Sequence, residues 1–282
     1  MGHGYYSSGH RMLRANSFGY YTKSANEIFS QRTINSSMNP HGVNIRESRD
    51  SNDHPNSLAI ILALDVTGSM GSIPHHLVKE GLPNIMDSII KSGIKDPQVL
   101  FLGIGDHECD SFPLQVGQFE SSDELLDKWL TDIYLEGGGG GNDGESYLLA
   151  WYFAGHHTAI DCLEKRKQKG FLFTIGDEQV LRQIPKSKLK DIMGDGQYED
   201  GNVQILLEKA REKYHVHHIH ISETGAGSKK TTVDEWKQMM NDNLHVVDRH
   251  QNVSQLISEI IQKKMKTTVE KECAVEPEEI ML

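Results

Sequence analysis

Cysteine is scarce in this chain: Cys109, Cys162 and Cys273 are the whole supply among 282 residues. Their number is odd, their spacing wide, and no C-x-x-C occurs. A disulfide framework and a zinc knuckle are therefore not expected, and a reducing cytoplasm fits best. Long apolar runs are missing too. No stretch reaches the roughly 18 residues that a membrane span needs. The opening "MGHGYYS" is polar, without the apolar centre of a signal peptide. Tyr6 stands where a myristoylation pattern needs Ser or Thr. Positive charge is also short, with 29 Lys and Arg against 40 Asp and Glu, a net charge of −11. A surface of that sign repels phosphates, which speaks against general nucleic-acid binding. Residues 1–57 net +2 and the remainder −13, too small a positive excess to make a basic arm.

What is present is alternation. Residues 58–64, 98–106 and 170–178 are short apolar runs, as expected of strands buried on both faces. Residues 112–119 alternate and contain Pro113, which predicts an edge strand. Residues 215–221 and 244–248 read as further strands. Between them, apolar residues at helical spacing predict helices over 73–91, 121–133, 145–158, 203–214, 233–242 and 252–266. Strand–helix alternation of this kind predicts an α/β domain: a doubly wound, mostly parallel sheet with helices on both faces and one short antiparallel edge strand. The domain is expected over 57–266. Residues 1–56 lack a sustained period and read as a largely irregular arm with a short helix near 24–31, free or packed on the domain; its Arg46, Glu47, Arg49 and Asp50 read as solvated, with pairing among themselves or clamping of a partner as the other reading. Residues 267–282 read as a tail.

Three of the strands share a chemical feature. The first ends in Asp65, the second in Asp106, the third in Asp177. Open parallel sheets bind ligands beyond the carboxyl ends of their strands, near the point where strand order reverses. Neighbouring strands would bring these carboxylates together, and such a cluster repels itself unless protons or a cation neutralise it. In "DVTGSMGS", side chains two residues apart in an extended loop point the same way, so Asp65, Thr67 and Ser69 can aim three oxygens at one point. All-oxygen coordination suits Mg²⁺, with Mn²⁺ as an alternative. Other loop chemistries fail on the letters. A nucleophile elbow needs G-x-S-x-G, and Thr67 replaces the first glycine. A phosphate loop needs a lysine that "GGGGGNDGES" lacks.

Taken together, "DVTGSMGS", "GGGGGNDGESYLLAW" and "FTIGDE" resemble the three pieces of a von Willebrand factor A (vWA) domain with its metal-ion-dependent adhesion site. The resemblance covers roughly residues 57–265, and the whole chain is similar to vWA proteins of bacteria and their phages. It implies a Rossmann-like sheet with Mg²⁺ at its carboxyl edge. It also implies Asp65, Thr67 and Ser69 as first-motif ligands, with Thr in place of the first Ser, and Asp177 as the third. The second motif departs from the usual Thr. Its tract resembles the "GGGD-x-P-E" variant of α-kinase-associated vWA domains, which implies Asn142 as the second-loop ligand, with Asp143 the alternative. Asp106, His107 and Glu145 stand as ligands or their supports, against loop hydrogen bonding and helix-start electrostatics. The glycines at 137–141 suit a loop whose backbone passes close to a metal or ligand.

The function implied is a non-enzymatic binding or scaffold module in which the metal bridges to an acidic side chain of a protein partner. An AAA ATPase of the MoxR type or a kinase is the partner class that the resemblance suggests, and self-association is left open. Two other readings remain at this level. One is an Mg²⁺-dependent hydrolase with His107 as base. The other is an RNA-associated vWA protein. His215, His217, His218 and His220 invite a zinc assignment. No Cys or acid is spaced to complete that site, so core or edge histidines are expected. Ser146 and Tyr147 read as helix-start and packing residues.

Overall fold

The computed structural model describes residues 4–70, 72–136, 142 and 144–275, without the side chains of Ser69 and of residues 268–275. The main sheet has six strands: β1 (Leu58–Asp65), β2 (Pro97–Ile104), β3 (Leu114–Val116), β4 (Gly170–Gly176), β5 (Tyr214–Ile221) and β6 (Leu244–Val247). Their order across the sheet is β3-β2-β1-β4-β5-β6. All pairings are parallel except β2 with β3. Pro113 lies just before β3, where its missing N–H costs no ladder bond, so the edge strand predicted around it is the antiparallel one.

All eight residues of β1 are buried, because both faces of the sheet are covered. Successive side chains point to opposite faces. Ile60, Leu62 and Leu64 face helix α2 (Leu82–Lys91) and the later helix that starts at Val253. Ala59, Ile61 and Ala63 face the other layer, whose core includes α4 (Leu148–His156), α6 (Val203–Lys213) and α7 (Lys230–Met240). Eight of the nine residues of α4 are buried, which is why "LLAWYFAGH" shows no polar stripe. Two further helices are α3 (Asp123–Thr131) and α5 (Lys186–Met193).

The chain winds outward from β1 through β2 to β3, then returns to β1's other side for β4, β5 and β6. Strand order therefore reverses between β1 and β4, the two strands that end at Asp65 and just before Asp177.

The N-terminal segment differs from the irregular arm expected. Helix α1 (Ser8–Phe18) has Ser7 as its N-cap, accepting from the His10 N–H, and Gly19 with φ +70° at its C-terminus. Its buried residues are Arg11 and Ala15, so the apolar period that betrays a helix is absent. The short helix expected near 24–31 is present as Ala25–Ile28. Arg46–Ser48 adds a strand parallel to Thr158–Ile160. Of the arm's charges, Glu47, Arg49 and Asp50 are paired. Arg49 bonds Glu47, Asp161 and Glu164, and Asp50 accepts from Arg166 and from the Ser57 N–H. At the other end, α8 (Val253–Val275) continues past residue 266, where the periodicity fades. No helix among the described residues is long and apolar enough to cross a membrane.

Candidate functional site

Four loops meet at the carboxyl edge of the sheet, and backbone bonds fasten them to one another. The Glu136 N–H donates to the Val66 carbonyl, tying the end of the 131–136 loop to the loop after β1. The Ser146 N–H donates to the Gly105 carbonyl, tying the start of α4 to the loop after β2. Gly144–Glu145 pairs with Gln179–Val180, tying the same segment to the loop after β4. The Trp236 indole N–H, reaching from α7, donates to the Glu178 carbonyl beside Asp177.

Asp65 is the centre of this arrangement. It is fully buried, and both its oxygens are held. Oδ1 accepts from the Thr67 N–H at 2.9 Å and from the Thr67 hydroxyl at 2.6 Å, the local turn an aspartate makes with the residue two ahead. Oδ2 accepts from the Tyr147 hydroxyl at 2.8 Å. Burial drives the Asp65 carboxyl well above the ordinary range. The Thr67 hydroxyl and N–H oppose that, and the neighbouring charge of Asp177 reinforces it. Asp177 is fully buried as well.

Tyr147 is the residue that sequence reasoning placed as packing and the fold turns into the site. Its ring is fully buried and makes edge contacts with His218 and Trp236, at 5.2 and 5.5 Å between centroids. Burial, then the charges of Asp65, Asp177 and Glu145, hold its hydroxyl far above its ordinary pKa, so it stays a neutral donor. A Cβ on Gly176 would overlap that hydroxyl, so the absence of a side chain at the end of β4 is what admits the phenol. The only sequence signal was a hydroxyl-bearing pair, Ser146 and Tyr147, directly before an apolar helix.

Glu145 lies within the same electrostatic neighbourhood. It is 6% exposed, and its Oε2 has no hydrogen-bond partner. Burial raises its carboxyl strongly, and Asp65, Asp110, Asp106 and Glu178 raise it further. Asn142, expected as the second-loop ligand, is half-buried and turned to other partners: its Nδ2 donates to Glu108 at 2.9 Å and its Oδ1 accepts from the Gly144 N–H. Asp143, glycines 137–141 and the Ser69 side chain lie outside the described residues.

Asp106 does not join Asp65 and Asp177 in the three-carboxylate cluster that neighbouring strand ends suggested. The chain turns after Ile104, and Asp106 serves that turn: its N–H donates to Asp110 and its Oδ1 accepts from the Glu108 N–H. Among the described residues, no three or more His, Cys, Asp or Glu side chains are grouped so as to hold a metal ion. His107 is bound to Ser146 twice. The Ser146 Oγ accepts from the His107 N–H at 2.8 Å and lies 2.7 Å from Nδ1. That oxygen has one proton and two lone pairs, so it donates to Nδ1 or accepts from it according to which ring nitrogen carries the proton. Burial lowers the His107 pKa and keeps the ring neutral. His217, His218 and His220 are buried, as the core reading had it.

No family model matches the chain, and no curated protein matches it. Solved structures do. One is the pilus adhesin SpaC from Lactobacillus rhamnosus GG in an open conformation, at 13% identity and a TM-score of 0.48, with 78% of this chain and 31% of the adhesin covered. Another is proximal thread matrix protein 1 from the mussel byssus, at 14% identity and a TM-score of 0.47, with 73% and 47% covered. A third is BatB from Bacteroides thetaiotaomicron, at 13% identity and a TM-score of 0.44, with 74% and 99% covered. The chain spans about a third of the length of the adhesin it matches.

Proposed function

We propose that this chain is a vWA-type module that holds a divalent cation, Mg²⁺ or Mn²⁺, at the switch point of its sheet and binds a protein partner through it. The observation that carries this reading is the burial of Asp65 and Asp177 side by side at the ends of the strands flanking that point. Two neighbouring buried carboxylates are costly unless a proton or a cation neutralises them. The donor set fits a hard cation. It consists of carboxylates and a hydroxyl, and one buried acid oxygen, Oε2 of Glu145, has no hydrogen-bond partner. Asp65, Thr67, Ser69 and Asp177 would hold the ion, with Asn142 or Asp143 of the second loop completing the set and Glu145 beside them as a support. With hydroxyls among its ligands, the ion keeps positive charge for an acidic side chain of the partner. A MoxR-type AAA ATPase or a kinase is the partner class suggested by the resemblance. We read the module as a binder rather than a catalyst, in the cytoplasm, where cysteines as scattered as Cys109 and Cys162 stay reduced.

The test is thermal unfolding with and without Mg²⁺ or Mn²⁺, for the wild type and Asp65→Ala. The ion should raise the wild-type Tm by several degrees and leave the variant unmoved, since a ligand that binds only the native state stabilises it by RT ln(1 + [L]/Kd). An equal response in both proteins would reject the site. Turnover of a phosphoester or nucleotide with Mg²⁺, lost in both Asp65→Ala and His107→Ala, would replace the binding reading with a hydrolase.

A further inference from the structure

Tyr147 has a hydroxyl that no packing role needs, placed where the proposed ion site needs order. We infer that Tyr147 is the positioning residue of the strand-end site, fixing the Asp65 carboxylate from the side opposite Thr67; this rests on the cation-binding reading above.

Three observations carry the inference. First, Asp65 is clamped from two directions. Thr67 supplies two donors to Oδ1 from within the same loop, and Tyr147 supplies a donor to Oδ2 from a segment 82 residues away. A carboxylate held at one oxygen alone still turns about its Cβ–Cγ bond; one held at both does not. Second, the phenol is itself locked. Edge contacts to His218 on β5 and to Trp236 on α7 hold the ring, and α4 begins one residue later. The same Trp236 holds the Glu178 carbonyl, so one side chain braces both Tyr147 and the loop that carries Asp177. Third, the fold makes room for the phenol, hydroxyl and ring edge together, at a strand position. Residue 176 has no side chain, and a methyl there would overlap the phenol oxygen. A ring kept for packing alone would be served by Phe, with no buried hydroxyl to satisfy.

The consequence concerns affinity. Groups that orient metal ligands typically change metal affinity by roughly 10–100-fold when removed. The experiment is calorimetric titration of the full chain with Mn²⁺, at a temperature well below the unfolding of every variant. Wild type, Tyr147→Phe and Trp236→Phe are compared, and their metal-free Tm values are recorded. Tyr147→Phe should weaken Mn²⁺ by roughly ten-fold or more. Trp236→Phe keeps the hydroxyl but removes its brace and the hold on the Glu178 carbonyl, so it should lower Tm and weaken Mn²⁺ too, by less than Tyr147→Phe does. Wild-type affinity in Tyr147→Phe overturns the inference and leaves the cation reading standing. No Mn²⁺ binding by the wild type overturns both. If Tyr147→Phe does not fold, Tyr147→3-fluorotyrosine provides the measurement by ¹⁹F NMR. Its resonance should move on Mn²⁺-free titration with Mg²⁺, and a resonance that stays fixed while Mg²⁺ binds overturns the inference.

Discussion

Gly176 closes an apolar strand, and nothing in "FLFTIG" marks it as more than a strand end. Its constraint comes from a side chain on another element, the Tyr147 hydroxyl. Gly176→Ala should therefore cost about 1–3 kcal/mol of unfolding free energy, the usual penalty for overpacking a tight core. Urea unfolding would measure it. The same change in a Tyr147→Ala background should cost less, because both the hydroxyl and the ring carbons that the added methyl meets are gone, and equal costs in both backgrounds would show that the two residues do not meet. Asp65 and Asp177 were legible from sequence because each ends an apolar run. Glu145 was legible as a candidate ligand or support beside the glycine tract; the parts of Tyr147 and Gly176 were not, since each matters through a neighbour remote in the chain. Asn142 was assigned by motif alignment, which gives a position in a loop but not the direction of its side chain.

Strand β5 shows what an element adds. "YHVHHIHI" carries four histidines, and the pleat divides them. His215 and His217 lie beside Phe171 and Phe173 on one face, while His218 and His220 share the other with Trp236 stacked on His218. Burial lowers them all, His215 to about 4 and His217 to about 3, with Lys264 and Lys169 near His215 and His245 near His217 lowering them further. The sign follows directly. Below about pH 6.5 the unfolded chain takes protons that the folded chain refuses, so stability is lost as pH falls from there toward the folded values. Between pH 7.5 and 5, each histidine that stays neutral should remove up to about 2 kcal/mol. The urea midpoint should fall steeply over that range, and His217→Phe should flatten the fall. A midpoint independent of pH would show that these rings are not held neutral in the fold.

At the scale of the molecule, the N-terminal segment belongs to the folded body. Arg11, 1% exposed, donates to Asp127 of α3 at 3.0 Å and to the Val78 carbonyl, and Arg14 pairs with Asp123 at 2.7 Å. Burial raises the Asp127 carboxyl, and Arg11 acts against that. Arg11→Ala would leave Asp127 buried with a weaker partner and should cost about 3–5 kcal/mol. Arg11→Met with Asp127→Leu removes both charges and should recover most of the loss. Denaturation of the three proteins measures this, and a single variant as stable as the wild type would mean that α1 is not anchored by the pair.

Sequence by itself determined the layer architecture, because runs buried on both faces, alternating with helical periods, leave a parallel sheet covered on two sides as the economical way to bury them. It also determined which strand ends carry acids. Tertiary structure alone decided the strand order, and with it that Asp65 and Asp177 flank the switch point while Asp106 stays in its own turn. It alone made α1 visible, because a helix docked through arginines has no apolar stripe to read. And it alone brought Tyr147 and Gly176 to Asp65, since a hydroxyl, a missing side chain and a carboxylate show no relation until three separate elements meet.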